Sequence, residues 1–119
     1  MPEWWTTITC APVAFLMGVP PQDVGPMADL LGTKLVANEF VAFVKLTTEY
    51  RTVLTERSYV LATFALTGFA NIASIGIQLG GIGAMAPNRR GDLARLGTRA
   101  LLAGFIATLV NACVASMLL

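Results

Sequence analysis

Histidine is absent from this 119-residue chain, and charged side chains make up only 13% of it. The two cysteines lie far apart, and the carboxylates do not cluster, so the sequence contains no metal-binding motif, redox pair or pair of nucleophile and base. We therefore expect no enzyme and no cofactor or metal bound by this portion of chain. The formal net charge of +1 also excludes a strong overall attraction to nucleic acid.

Hydrophobic residues take the place of the missing charges. They make up 55% of the chain, and the mean hydropathy is +0.69. The charged fraction of 13% is about half of the quarter that is usual in soluble domains. Two runs, residues 58–88 and 100–119, contain no charged side chain. The second run matches the roughly 20 apolar residues that a helix needs to cross a bilayer. The sequence thus predicts an all-α membrane protein whose residues 100–119 form a C-terminal transmembrane helix.

Prolines interrupt the first apolar stretch. Residues 4–22 are uncharged but contain Pro12, Pro20 and Pro21. Proline removes a backbone donor and disfavours a continuous helix. We therefore expect residues 1–26 to form a proline-broken apolar segment followed by a loop.

Residues 27–50 carry five charged side chains among apolar ones and are predicted to form an interrupted helical hairpin. Two half helices that meet at a polar tip would hide the charges from lipid, whereas a straight span would expose some of them. Gly32 and Thr33 are the plausible break.

Glu39 is the charged residue of this hairpin that most needs an explanation. Its neighbours in sequence are mainly apolar, and a carboxylate at the centre of a membrane costs about 2.5 to 3.5 kcal/mol. Such a residue usually has a function. The alternative is an ion pair with Lys34 or Lys45, although separations of five and six residues do not place either lysine on the same helical face.

Residues 51–57 are predicted to form an interfacial loop with Thr55 as a helix cap, and residues 58–86 to form a discontinuous transmembrane helix. The centre of this stretch reads GFANIASIGI and places glycine, asparagine and serine where a lipid-facing helix would have leucine. Interruptions of this kind expose polar groups to a substrate in transporters. Asn71 and Ser74, three residues apart, are candidates to bind one ligand. The alternative is helix packing through small residues, supported by the GxxxG spacing of Gly76 and Gly80.

Residues 87–99 contain four arginines and one aspartate between two apolar stretches. By the positive-inside rule, this loop is expected to be cytoplasmic. The C-terminal helix that follows would then lead outward, with its end near the outer face of the membrane.

Four blocks of sequence, in order, resemble the C-terminal half of the concentrative nucleoside transporters. They read APVAFLMGVP (11–20), LLGTKLVANEFVA (30–42), GFANIASIGIQLGGIGAMAP (68–87) and RLGTRALLAG (95–104). The resemblance covers nearly the whole chain. It implies half of an inverted-repeat transporter, with a hairpin around residues 32–39, a helix broken around residues 68–74, and a homotrimeric assembly in a plasma membrane, such as the inner membrane of a bacterium.

The same resemblance implies the roles of individual residues. Glu39 corresponds to a carboxylate that binds ribose hydroxyls, Asn71 and Ser74 to further ribose contacts, and Phe69 to an aromatic contact near the nucleoside. The family often has an aromatic residue at the position of Ile72. Sodium, or a proton, is the coupling ion that the resemblance implies for the full transporter.

The family's first hairpin and the helix after it have no counterpart in these residues. Because inverted-repeat transporters build their sites between two halves, we expect this partial transporter domain to need an N-terminal half and not to transport alone. Two hypotheses follow. The first is the C-terminal portion of an ion-coupled nucleoside symporter; the second is a small oligomeric membrane protein with a structural or regulatory role, in which Glu39 pairs with a lysine.

Overall fold

Six α-helices and two short 3₁₀ turns make up the computed structural model, which describes residues 4–119 and is 83% helical with no strand in that range. The helices are α1 (Trp4–Leu16), α2 (Val24–Val36), α3 (Glu39–Thr48), α4 (Glu56–Leu66), α5 (Ile72–Met85) and α6 (Arg90–Leu118), and the 3₁₀ turns are Pro21–Asp23 and Pro87–Arg89.

The first helix runs through Pro12, so the prediction of a break there was wrong. Thr6, Cys10 and Ala14 form its buried face, at a spacing of four residues, and this face packs along α2. Pro12 itself is exposed. The local cost of its missing N–H is therefore outweighed by the packing of the opposite face.

The hairpin differs from its predicted form at both its start and its break. Its first helix begins at Val24, inside the predicted loop, because Pro26 occupies the first turn, where no intrahelical N–H bond is required. The helix then continues through Gly32 and Thr33, and the break lies at residues 37–38. A side chain at Gly32 would collide with Thr6, at 2.6 Å from its Cβ. Gly32 thus allows α1 to approach α2 closely rather than interrupting the helix.

The broken helix consists of α4 and α5, on either side of the break at residues 67–71. Polar contacts at both ends of α4 determine the direction in which α2 packs against it. Asp23, at the start of α2, bonds Thr55, and Lys34, near its end, bonds the backbone of Ala65 and Thr67. The two helices therefore run side by side in the same direction.

The third helix turns back along α2. A salt bridge of 2.5 Å joins Lys45 Nζ to Asp29 Oδ2, and the Tyr50 hydroxyl donates to the same oxygen at 2.8 Å. Burial and the Asp29 carboxylate raise the pKa of Tyr50 above its usual value. Tyr50 therefore remains protonated and able to donate.

The last helix packs antiparallel to both halves of the broken helix. Ser116 lies opposite Arg57, Thr108 opposite Gly68, and Gly97 opposite Ile75. The structure starts this helix at Arg90, so most of the predicted basic loop at residues 87–99 is in fact helical. Asp92, in its first turn, suits the positive end of the helix dipole and bonds Arg89.

Together with its preceding turn, α6 forms the segment Pro87–Leu118, which among residues 4–119 is the one helix long and apolar enough to cross a membrane. Only 11% of its most apolar 18 residues are buried within the chain. An exposed apolar helix of this length is suited to contact with lipid or with another membrane segment.

Gly68 has φ = +89° in the break between α4 and α5. A Cβ there would adopt a strained conformation and lie 2.5 Å from Thr108 Cγ2. We expect Gly68→Ala to lower the free energy of unfolding by about 1 to 3 kcal/mol, measured by thermal unfolding in detergent. The control is Gly76→Ala, because a Cβ at Gly76 meets nothing within 4 Å. Equal melting temperatures for the two variants would contradict this assignment.

Candidate functional site

The break between α4 and α5 is closed by a local hydrogen-bond network that orients Asn71. Asn71 is the N-cap of α5, in an extended conformation, and its Oδ1 accepts from the Ser74 backbone N–H at 2.8 Å. The Ser74 hydroxyl bonds back to the Asn71 backbone, which completes a capping box. Asn71 is only 1% exposed. Its Oδ1 is thus occupied by the cap, and its Nδ2 is left to point toward another partner.

The hairpin tip has the same construction. Asn38 is the N-cap of α3, and its Oδ1 accepts from the Val41 backbone N–H at 2.9 Å. Glu39 is the first residue of the helix, where the helix dipole favours a negative charge. Glu39 is half-buried.

The two tips meet through one hydrogen bond. Asn71 Nδ2 donates to Glu39 Oε2 at 3.0 Å. A carboxylate accepts about four hydrogen bonds, so Glu39 keeps acceptor capacity for further donors. The structure therefore brings together two of the four predicted site residues, at a point where two helices begin.

Ser74 and Phe69 lie near this pair but do not bond Glu39. Ser74 is 6% exposed, and its hydroxyl donates to the Asn71 backbone carbonyl at 2.5 Å. Phe69 is half-exposed and lies in the break itself. Ser74 orients Asn71, and Phe69 is open to a ligand or to another part of a larger protein.

A cleft between α5 and α6 borders the break but does not include the Glu39–Asn71 pair. Its volume is about 370 Å³, and its lining is mostly apolar, with Phe69 and Ser74 among the lining residues. Hydrogen bonding to a sugar requires polar groups, so the Glu39–Asn71 pair is a better candidate for sugar contacts than this cleft.

The structural alternative required a salt bridge between Glu39 and either Lys34 or Lys45. Neither lysine forms one. Lys45 forms its salt bridge with Asp29, and Lys34 Nζ donates to the carbonyls of Ala65 and Thr67. The second alternative, packing through Gly76 and Gly80, is not realised within the described chain, because a Cβ at either position meets nothing within 4 Å.

Sequence reasoning missed three polar residues that support the site. Asp23 Oδ2 accepts from Thr55 Oγ1 at 2.6 Å and from Ser58 Oγ at 2.5 Å, at the start of α4. Asn38 was detectable as a capping residue before an acidic first turn. No local signal identifies the partners of Asp23 or Lys34, since these lie more than 30 residues away.

Within residues 4–119, no group of three His, Cys, Asp or Glu side chains is placed to hold a metal ion.

Comparison with known proteins identifies the family. Residues 3–116 match the family described as "Na+ dependent nucleoside transporter C-terminus". The chain is 45% identical over 121 aligned residues to sodium/nucleoside cotransporter 1 of Mus musculus, covering 90% of the chain and 19% of that protein. It is 44% identical to an uncharacterized transporter of Haemophilus influenzae, covering 89% of the chain and 27% of that protein.

Solved structures agree with these sequence relatives. CNTnw in an inward-facing substrate-bound state superposes with a TM-score of 0.85 at 40% identity, covering 94% of this chain and 28% of that one. An outward-facing variant of the same protein gives a TM-score of 0.87 at 37% identity, with the same coverage. The chain therefore spans about a fifth to a quarter of the length of these relatives.

The resemblance to concentrative nucleoside transporters is confirmed. The chain is an all-α membrane protein that belongs to the sodium-dependent nucleoside transporter family and corresponds to its C-terminal part.

Proposed function

We propose that this chain supplies the sugar-binding side of a sodium-coupled nucleoside symporter that works by alternating access. The observation that carries the proposal is the 3.0 Å bond between Asn71 Nδ2 and Glu39 Oε2 where two helices begin. Vicinal hydroxyls of a ribose can donate to the remaining lone pairs of a carboxylate, and charge-assisted bonds of this kind are stronger than neutral ones. The relatives that bear a named activity are sodium/nucleoside cotransporters rather than enzymes.

Each predicted site residue has a distinct place in this proposal. Glu39 accepts from ribose hydroxyls, while Asn71, which is buried and bonded to Glu39, holds the Glu39 carboxylate in position. Phe69, half-exposed, packs against the nucleoside. Ser74 contributes through Asn71, because its own hydroxyl is bonded to the Asn71 backbone.

The rest of the transporter lies outside these residues. Since the chain matches only 19% of sodium/nucleoside cotransporter 1, the base contacts and the sodium site are assigned to the remaining part of such a protein. Inverted-repeat transporters form their sites between two halves, which is consistent with a Glu39 that is only half-buried here. Assembly as a homotrimer in the bacterial inner membrane belongs to the same proposal.

Replacing Glu39 by glutamine tests the sugar contact. The chain is substituted for the matching segment of mouse sodium/nucleoside cotransporter 1, and uridine uptake is measured with sodium or with choline outside. We expect sodium-dependent uptake by the native chimera. Glu39→Gln should lower uptake about 10- to 150-fold, because it removes hydrogen bonds to a charged acceptor. The matched control is Glu49→Gln, at an exposed carboxylate after α3, which should leave uptake unchanged.

The outcomes of this experiment separate two failures. A native chimera that reaches the membrane and takes up no uridine would contradict the proposed function. Uptake by Glu39→Gln at the native rate would contradict only the assignment of the site.

Two substitutions at Asn71 separate its capping role from its contact with Glu39. Asn71→Ala should lower the free energy of unfolding by about 1 to 2 kcal/mol, because it removes a helix cap. Asn71→Ser keeps a capping oxygen but is too short to reach Glu39, so we expect nearly native thermal unfolding in detergent together with reduced uridine uptake by the chimera. Native uptake by Asn71→Ser would show that the bond to Glu39 is not needed.

The proposed orientation places residues 87–99 in the cytoplasm, since four arginines accumulate there. After Cys10 and Cys113 are replaced by alanine, Asn88→Cys should react with an impermeant maleimide only in permeabilised bacterial spheroplasts. Met117→Cys, near the end of α6, should react in intact ones. The reverse labelling pattern would show that the topology is inverted.

A further inference from the structure

Lys34 is a fully buried lysine that forms no salt bridge among the described residues, although the Glu39 carboxylate acts on it electrostatically at longer range. The three salt bridges of this part of the chain join Lys45 to Asp29 and two arginines to Asp92. Lys34 is 0% exposed, in the last turn of α2. A buried ammonium group needs compensation from other polar groups, because its transfer from water is costly.

Three oxygen atoms provide this compensation. Lys34 Nζ donates to Ala65 O at 2.9 Å, to Thr67 O at 2.8 Å and to Thr108 Oγ1 at 2.9 Å, which uses all three ammonium donors. The Thr108 hydroxyl donates to Phe105 O at 2.8 Å, so it offers lone pairs to the lysine. The Phe105 ring centroid lies 5.5 Å from Nζ, within range of a cation–π interaction.

The two carbonyls belong to the end of α4, where the helix is interrupted. Terminal carbonyls have no intrahelical donor, and the helix dipole places a partial negative charge there. In discontinuous transmembrane helices, such carbonyls are the groups that coordinate monovalent cations. The three oxygens that Lys34 contacts are of this kind: two backbone carbonyls and one hydroxyl, with no carboxylate among them.

We propose that the break between α4 and α5 is a monovalent-cation site, built from the Ala65 and Thr67 carbonyls and the Thr108 hydroxyl, whose permanently bound cation is the Lys34 ammonium group. The lysine side chain tethers this cation to the hairpin, so the hairpin, the broken helix and α6 are joined at one point. One consequence rests on the proposed function: a coupling ion is excluded from this break. The cation site itself does not depend on transport.

Chemical replacement of the tethered cation tests this proposal without any transport assay. Lys34→Ala removes three carbons and the ammonium group, which together correspond to n-propylammonium. We expect this amine, at a concentration on the order of 100 mM, to raise the melting temperature of the purified Lys34→Ala chain in detergent by several degrees. Tetramethylammonium has no N–H donor and should have no effect, and n-propylammonium should not stabilise the native chain.

Lys34→Met distinguishes the cation from simple filling of space. Methionine has a similar volume but no charge, so this variant should melt several degrees below the native chain and should not respond to the amine. A native melting temperature for Lys34→Met, or the absence of an amine-specific rise for Lys34→Ala, would overturn the proposal.

Poor folding of Lys34→Ala is also informative. This variant is purified with n-propylammonium present throughout and, in parallel, without it. Recovery of folded protein only with the amine supports the site. Failure in both preparations, while Lys34→Met folds, counts against it.

Discussion

The interruption at residues 67–71 is the constraint on which the rest of this structure depends, because a helix broken inside a membrane must find partners for its free backbone groups within the protein. The chain meets this requirement on both sides of the break. Asn71 caps the start of α5, and Lys34 binds the terminal carbonyls of α4. Gly68 allows the turn between them. The polar residues of the break are therefore structural first, and any ligand binding uses what this network leaves open.

The pairing of α2 with α4 follows from the same requirement. Asp23 lies against the N-terminal end of α4 and Lys34 against its C-terminal end. A negative group at the start and a positive group at the end both complement the helix dipole. The two helices must run in the same direction for these contacts to form together. This alignment carries the hairpin tip just past the end of α4, which is why Glu39 reaches Asn71.

Features that depend on neighbours in sequence could be predicted, and those that depend on packing could not. Thr55 was expected to cap a helix and does accept from the Ser58 backbone N–H; the break near Gly68 was evident from its small and polar residues. Gly32 does not break α2 as predicted, because it admits Thr6 of a neighbouring helix, which lies far away in the chain. Pro12 does not break α1 for a similar reason, since packing of the opposite face decides the outcome. Among the site residues, the family resemblance implied that Glu39, Asn71 and Ser74 serve one sugar, whereas the bond between Asn71 and Glu39 and the local role of Ser74 are known only from the structure.

The geometry also explains why Glu39 can be available to a ligand while the other charged side chains of α2, of α3 and of the turn before α2 are not. Asp23, Asp29, Lys34 and Lys45 all bond groups within the chain. Glu39 makes one bond, to a side chain whose own position is fixed by a capping box. Donors that approach the remaining lone pairs of Glu39 need not break any of the contacts that hold the hairpin on the broken helix. A carboxylate bound in this way can exchange water for hydroxyl groups at low structural cost, which is the property that a transient binding site requires.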